Sequence, residues 1–477
     1  MQATMALPSA SVFTFGVAVL TVILLYLLAR RHQSFQALTC PPGPKSPKMP
    51  TLDAWVQYRE WGREYGDLVY IHETNMLITN SARVAVDLLE KRARIYSDRE
   101  MTSVMKLCGA ERVLSMERYS EKWRRNRRVY QQIFRQSTSD QFYLAQYKKI
   151  NEFLRNLIAS PERFMEHNDL LSQGLIYAAL YGLDVAPEHP VAQKSKEINT
   201  TMGRTFLHDV SALELYPWLR FMPSWFPGCG FNKTAYIENV PFDQSVNNFK
   251  MGNGTSIVAE LAMKNEGNPT MSSICSFLLT ITLHPDVQIK AQAEIDRVIG
   301  RDRLPTFEDR KFLPYVEAIY REIMRLHPPL PLGISHVSTE DDVYEGYHIP
   351  QGCAVTPNIW AMNRDPNVYS EPDTFMPERF LDSPTGPFTS INEVYAFGFG
   401  RRVCGGRHMG DNTVWLAIAS VLATLDLRKA KDSEGNEIDI PGEYTKTFFC
   451  HPQPFQCNIT PRDSQARELV LATVELK

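Results

Sequence analysis

Between Phe397 and Gly410 the chain reads FGFGRRVCGGRHMG: five glycines, three arginines and one cysteine in fourteen residues. A lone cysteine is ordinarily a small buried hydrophobe. Cys404 has unusual surroundings for that role. Gly405 and Gly406 follow it, and an apolar helical run begins near Asn412. A thiolate just ahead of a helix N-terminus meets unpaired backbone N–H groups and the positive end of the helix dipole, and both lower its pKa. Glycines also let a flat ligand approach the backbone closely. The pattern suits a metal-ligating thiolate beneath a large planar cofactor. A second pair with chemical spacing is Glu322 and Arg325 in REIMR. Three residues apart on a helix, they share a face and can pair, although such pairs are common on surfaces.

The stretch around Cys404 resembles the haem-binding loop of the cytochrome P-450 family, the haem-thiolate monooxygenases, whose signature is F-x-x-G-x-R-x-C-x-G. Phe397, Gly400, Arg402, Cys404 and Gly406 match every specified position. Further family patterns follow in order. Glu322 and Arg325 match E-x-x-R, and PERF, Pro377 to Phe380, lies between them and the cysteine. The resemblance implies that Arg379 completes a buried Glu–Arg–Arg network that is structural, not catalytic. Upstream, EKWRRNRR (121–128) resembles W-x-x-x-R through Trp123 and Arg127. Buried propionates need fixed cationic or N–H donors. By resemblance Trp123, Arg127 and Arg402 bind those of haem b, with His336 in PLGISH as a further donor, and Cys404 is the axial iron ligand. The likeness runs from the N-terminus to FFCHPQPFQC (448–457) and has a fungal, microsomal character.

The resemblance implies a monooxygenase that inserts one atom of O2 into a lipophilic small molecule of secondary or xenobiotic metabolism. Electrons come from NADPH through NADPH-cytochrome P-450 reductase, a diflavin enzyme, with cytochrome b5 as a second candidate donor. Lys122, Arg124, Arg125 and Arg128 cluster beside one haem-binding segment and form a candidate basic docking face; a solvated helix face explains them equally well.

The pattern breaks at the oxygen-binding helix, where the family carries a motif like A-G-x-D-T-T. Here residues 262–288 read AMKNEGNPTMSSICSFLLTITLHPDVQ. In register, Asn268 takes the acid position and Pro269 the threonine position, which leaves Thr270 one place late as the displaced candidate for the catalytic alcohol. Asn268 and Pro269 also have the form of an N-cap and first helical residue. Roughly two dozen residues, or ~36 Å of helix, are missing by comparison with the family. A splice or gene-model form that omits exon sequence, a haem-thiolate relative that does not hydroxylate, and an inactive relative without the acid–threonine proton relay all remain open.

The elements that must position these residues are mainly helical. HPDVQIKAQAEIDRVIG (284–300) and LPYVEAIYREIMRLHPP (313–329) each open with a proline in the first turn. NTVWLAIASVLATL (412–425) is apolar nearly all round and predicts a buried helix. Strand-like pieces lie near 67–73, 342–350 and 354–361. The expected fold class is the P-450 fold, a large helical domain with small β-sheets, preceded by one N-terminal transmembrane helix.

Residues 1–29 carry no charged side chain, and Val12 to Ala29 is an apolar run. As a helix it spans ~27 Å, about the hydrocarbon thickness of an endoplasmic reticulum membrane. Arg30, Arg31 and His32 follow at once, which places the N-terminus in the lumen and the body in the cytosol. The expected organisation is a lumenal N-terminus at 1–11, a single-pass anchor at 12–29, a basic, proline-rich connector at 30–50 and a haem-thiolate domain at 51–477. A net charge of −3 gives no global case for nucleic-acid binding. The eight cysteines form no zinc-like spacing or disulfide framework, which suits a reducing compartment.

Overall fold

The computed structural model describes residues 38–50, 52–107, 113–181, 269–381 and 391–473, together with 21, 111, 221 and 222. The expected anchor at 12–29, apart from Thr21, and the expected N-cap Asn268 lie outside them. Among the described residues no helix is long and apolar enough to cross a membrane.

The longer helices are α1 (Ala54–Tyr65), α2 (Glu121–Phe134), α3 (Tyr143–Ala159), α4 (Phe164–Tyr181), α5 (Pro269–Leu283), α6 (Pro285–Val298), α7 (Pro314–Leu326), α8 (Arg407–Thr424) and α9 (Ser464–Ala472). Helix α8 is central because its sequence has no polar face to give to water: from Thr413 to Leu422 every residue is buried. Around it pack Phe277 and Ile281 of α5, Ile295 of α6, Ile319 and Ile323 of α7, and Phe153 and Leu157 of α3. Prolines open α5, α6 and α7, where a missing N–H costs no helical hydrogen bond.

A second core lies under a four-stranded sheet of order β1 (Leu68–Ile71), β2 (Met76–Thr79), β6 (Ala354–Pro357), β3 (His336–Val337). Strands β2 and β6 run parallel, with Met76 opposite Ala354, while the other two pairs are antiparallel. Strands β4 (Asp342–Tyr344) and β5 (Tyr347–Ile349) form a hairpin. Its turn residues Glu345 and Gly346 have φ of 50° and 83°, the left-handed pair that a tight two-residue hairpin requires. Strands β7 (Leu425–Lys429) and β8 (Cys457–Pro461) form a separate antiparallel pair. The described chain is thus mainly helical with small sheets.

One strand expectation needs correction. The segment 354–361 is strand only as far as Pro357. Asn358 then caps a helical turn, Ile359–Met362, its side chain accepting from the Ala361 N–H at 3.2 Å.

Candidate active site

A cavity of about 210 Å³ lies between the Cys404 loop and the first turn of α5. Eight of the sequence-predicted residues meet in its lining: Trp123, Arg127, Thr270, His336, Phe397, Arg402, Cys404 and Gly406. Gly400 does not line it, and Glu322, Arg325 and Arg379 stand behind the wall.

The loop that presents Cys404 is gripped from several sides. Its N–H donates to the Phe397 carbonyl at 2.8 Å, closing the loop on itself. Gly400 has φ of 52°, and a Cβ there would stand 2.1 Å from the Leu89 carbonyl oxygen. A Cβ on Gly405 would lie 2.5 Å from the Tyr130 ring. These two glycines therefore answer to close packing of protein against protein. Four of the loop's five glycines, Gly398, Gly405, Gly406 and Gly410, also line the cavity, so Gly405 meets both the Tyr130 ring and the open space. Arg127 donates through Nη2 to the Val403 carbonyl, one residue before the thiol. Helix α8 begins at Arg407, just after it.

Helix α2 positions the next group. Ser120 caps it by accepting from the Trp123 N–H at 3.1 Å. Trp123, Asn126, Arg127, Tyr130 and Phe134 then recur on one buried face. Trp123 donates its indole N–H to the Leu114 carbonyl at 3.0 Å, and the Arg402 guanidinium carbon stacks 4.1 Å from the Trp123 ring centre. Arg402 donates from Nε to the Ser97 carbonyl at 2.7 Å and from Nη2 to the Glu117 carbonyl at 2.8 Å. Its guanidinium is thus already bound to backbone oxygens while it borders the cavity.

His336 donates from Nδ1 to the Tyr96 carbonyl at 2.7 Å, since a carbonyl can only accept. Burial, then the nearby Arg99 and Arg402, hold its pKa well below the ordinary histidine value. The neutral ring leaves Nε2 as an acceptor. Sequence reasoning missed Arg99, which is 4% exposed and lines the same cavity. It donates to the carbonyls of Ser115 at 2.9 Å, Ile334 at 2.5 Å and Ser335 at 2.6 Å. Nothing in SDREM marks that arginine as buried, because its carbonyl partners come from loops distant in sequence.

These residues fit a haem. The single thiol has a soft-ligand sulfur, and the cavity edge gathers Arg99, Arg127 and Arg402. The buried Arg127 Nε has no hydrogen-bond partner, which suits an anionic group such as a propionate.

Behind this wall, Glu322 and Arg325 have completely buried side chains. Arg325 bonds both carboxylate oxygens, at 2.7 and 2.8 Å, and Arg379 Nε reaches Glu322 at 3.1 Å. Further Arg325 bonds to the carbonyls of Asn363 and Pro372, and the Met376 N–H on Glu322, fasten residues 363–379 onto α7.

The opposite wall is different in kind. Pro269 is the first residue of α5 and Thr270 the second. Ser273, one turn on, donates back to the Pro269 carbonyl at 2.8 Å. Around these hydroxyls the lining is apolar, with Met324, Leu330, Ile334, Phe448 and Phe449.

The family model for cytochrome P-450 matches residues 244–459 of the chain. Among curated proteins, cytochrome P-450 monooxygenase 176 of Postia placenta is 34% identical over 504 aligned positions, covering 94% of this chain and 95% of that protein. Cytochrome P-450 monooxygenase COX1 of Coprinopsis cinerea is 33% identical, covering 93% and 95%. The tryptamine 4-monooxygenase of Psilocybe cyanescens is 32% identical, covering 94% and 97%.

Proposed function

Because the chain belongs to the cytochrome P-450 family of haem-thiolate monooxygenases, we propose that it inserts one atom of O2 into a lipophilic small molecule, with electrons from NADPH passed on by a diflavin reductase. The observation that carries this reading is the single cavity in which Cys404 and its arginine-rich edge face an apolar wall that bears hydroxyls.

Cys404 would hold the iron of haem b, and Arg127 and Arg402 would bind its propionates; Trp123, whose indole N–H is taken by the Leu114 carbonyl, and His336, with only an acceptor left at Nε2, have no free donor for them. When bound, the haem supplies oxygen activation, favoured by electron donation from a thiolate ligand. The chain's own residues do the rest. Loop packing at Gly400 and Gly405 fixes where the sulfur sits. Leu330, Ile334, Phe448 and Phe449 exclude water and favour an apolar guest. Thr270 and Ser273 present hydroxyls to the same space.

The electron donor would dock on the exposed face of α2. Lys122, Arg124, Arg125 and Arg128, with Arg401, line an open basic groove there, which favours an acidic partner surface. The apolar run 12–29, followed by Arg30 and Arg31, supports a single-pass anchor in the endoplasmic reticulum with the domain facing the cytosol.

A second reading rests on Pro269 at the start of α5. Without an acid–threonine pair the chain would work as a peroxide-driven or non-hydroxylating relative. The decisive measurement is the absorption spectrum of the reduced, carbon monoxide-bound protein. A thiolate-type band is expected, and Cys404→Ser should abolish it. Folded protein without that band would overturn both readings. Once the band is present, faster turnover with peroxide than with reductase and NADPH would select the second reading.

A further inference from the structure

Helix α2 separates two spaces. Its outer face, with Arg401, forms the basic groove, while Trp123 and Arg127 border both that groove and the inner cavity. Beside the cavity lies the turn 113–117, in which the N–H groups of Met116 and Glu117 donate to the Val113 carbonyl at 2.9 and 2.7 Å. Leu114, Ser115 and Met116 line the cavity. Trp123 and Arg99 hold the carbonyls of Leu114 and Ser115, and Arg402 holds that of Glu117.

Glu117 ends this turn with a side chain only 6% exposed. One carboxylate oxygen accepts from Asn126 Nδ2 at 3.2 Å. The other has no hydrogen-bond partner. Its compensation is the Lys122 ammonium, 3.1 Å away, on a side chain that is 57% exposed and lines the groove. A buried charge is therefore balanced by a cation that the groove can reach.

We propose that the Glu117–Lys122 pair is a latch through which an acidic partner surface in the α2 groove acts on the cavity wall at Leu114–Met116. The proposal rests on the reading of that groove as the docking face for the electron donor. A partner carboxylate that enters the groove competes for Lys122. As Lys122 turns outward, Glu117 loses its counter-charge, and a buried carboxylate left unbalanced is costly. Movement of Glu117 toward water relieves that cost. The two bonds on Val113 make the turn move as a unit and carry the cavity wall with it. By linkage, a guest that fixes the wall changes the partner's affinity by the same factor.

The test uses haem-loaded full-length protein, poly-L-glutamate as the acidic probe and 1-phenylimidazole as the cavity guest, read by the shift in haem absorbance. Poly-L-glutamate should change the 1-phenylimidazole Kd of the unmodified chain by about fivefold or more, the lower end of ordinary coupling between sites. Lys122→Gln should show the changed Kd with no probe present, and then no response to the probe. Adding Glu117→Gln to Lys122→Gln removes the unbalanced charge and should restore the original Kd. That double variant also guards against a fold lost through the single one. The proposal fails if Lys122→Gln keeps both the original Kd and the full response to poly-L-glutamate. If calorimetry shows that poly-L-glutamate does not bind, the docking reading fails. The two variants' Kd values then decide the latch: a shift in Lys122→Gln that Glu117→Gln reverses upholds it, and no shift overturns it.

Discussion

On the Cys404 side of the cavity, one short loop is held by Leu89, by Tyr130 and Arg127 of α2, and by the start of α8. On the facing side, Thr270 and Ser273 stand at the beginning of a helix, and Ser273 is bonded only within reach of its own turn and Met324. The first wall is fixed by packing between elements distant in sequence, so small changes there collide with backbone. The second wall is apolar side chains and two hydroxyls, which can be exchanged without moving the backbone. Holding the sulfur and shaping the guest are thus physically separate tasks in this molecule.

Substitutions on and behind the two walls test that division, in order of expected effect. Glu322→Ala leaves the buried Arg325 and Arg379 without their anion. It should cost about 3–5 kcal/mol in chemical denaturation, or prevent recovery of folded protein. A cost below about 1 kcal/mol would show that the carbonyl bonds alone hold residues 363–379 on α7. Gly405→Ala forces a methyl into the Tyr130 ring and should destabilise by about 1–3 kcal/mol. Combining it with Tyr130→Leu should recover part of that loss, since the clash is with the ring; no recovery would mean that the strain lies elsewhere in the loop.

Arg127→Gln removes the unpaired Nε and the bond to Val403. It should speed haem transfer to apomyoglobin by about tenfold, equivalent to ~1.4 kcal/mol. Thr270→Ala on the facing wall should leave that rate unchanged, and equal effects would erase the contrast between the two walls. The smallest effect concerns pH. His336 is held neutral in the folded chain, so the unfolded chain binds a proton more readily. Stability of the cofactor-free protein should therefore be complete above the unfolded histidine pKa of about 6.5 and fall as the pH drops below it. His336→Phe should flatten that part of the pH–stability curve.

Much of the sulfur-holding wall was legible because its determinants are local. Five spaced residues around Cys404, a proline-opened helix at 314, and an all-apolar helix after 412 each announce themselves within one window. The pairing of Glu322 with Arg325 follows from helical spacing, but its complete burial depends on the carbonyls of Asn363 and Pro372. Arg99 and the Glu117–Lys122 pair were not legible for the same reason: their meaning comes from loops that meet only in the folded chain. The strand at 354–361 was read too long because β-branched and aromatic residues continue past Pro357. The Asn358 cap then decides in favour of a helical turn.

The parallel pairing of β2 with β6 sets a timetable. Met76 meets Ala354, 278 positions further along the sequence, and β3, which carries His336, attaches to β6. During synthesis the first hairpin must wait with one edge unmatched until nearly three-quarters of the chain has emerged, a long-range closure of the kind that slows folding. Cys404 and α8 follow later still. On the proposed role of Cys404, haem capture would therefore be a terminal event of biogenesis, and ribosome-bound chains halted before residue 404 should be protease-sensitive and unable to take up haem.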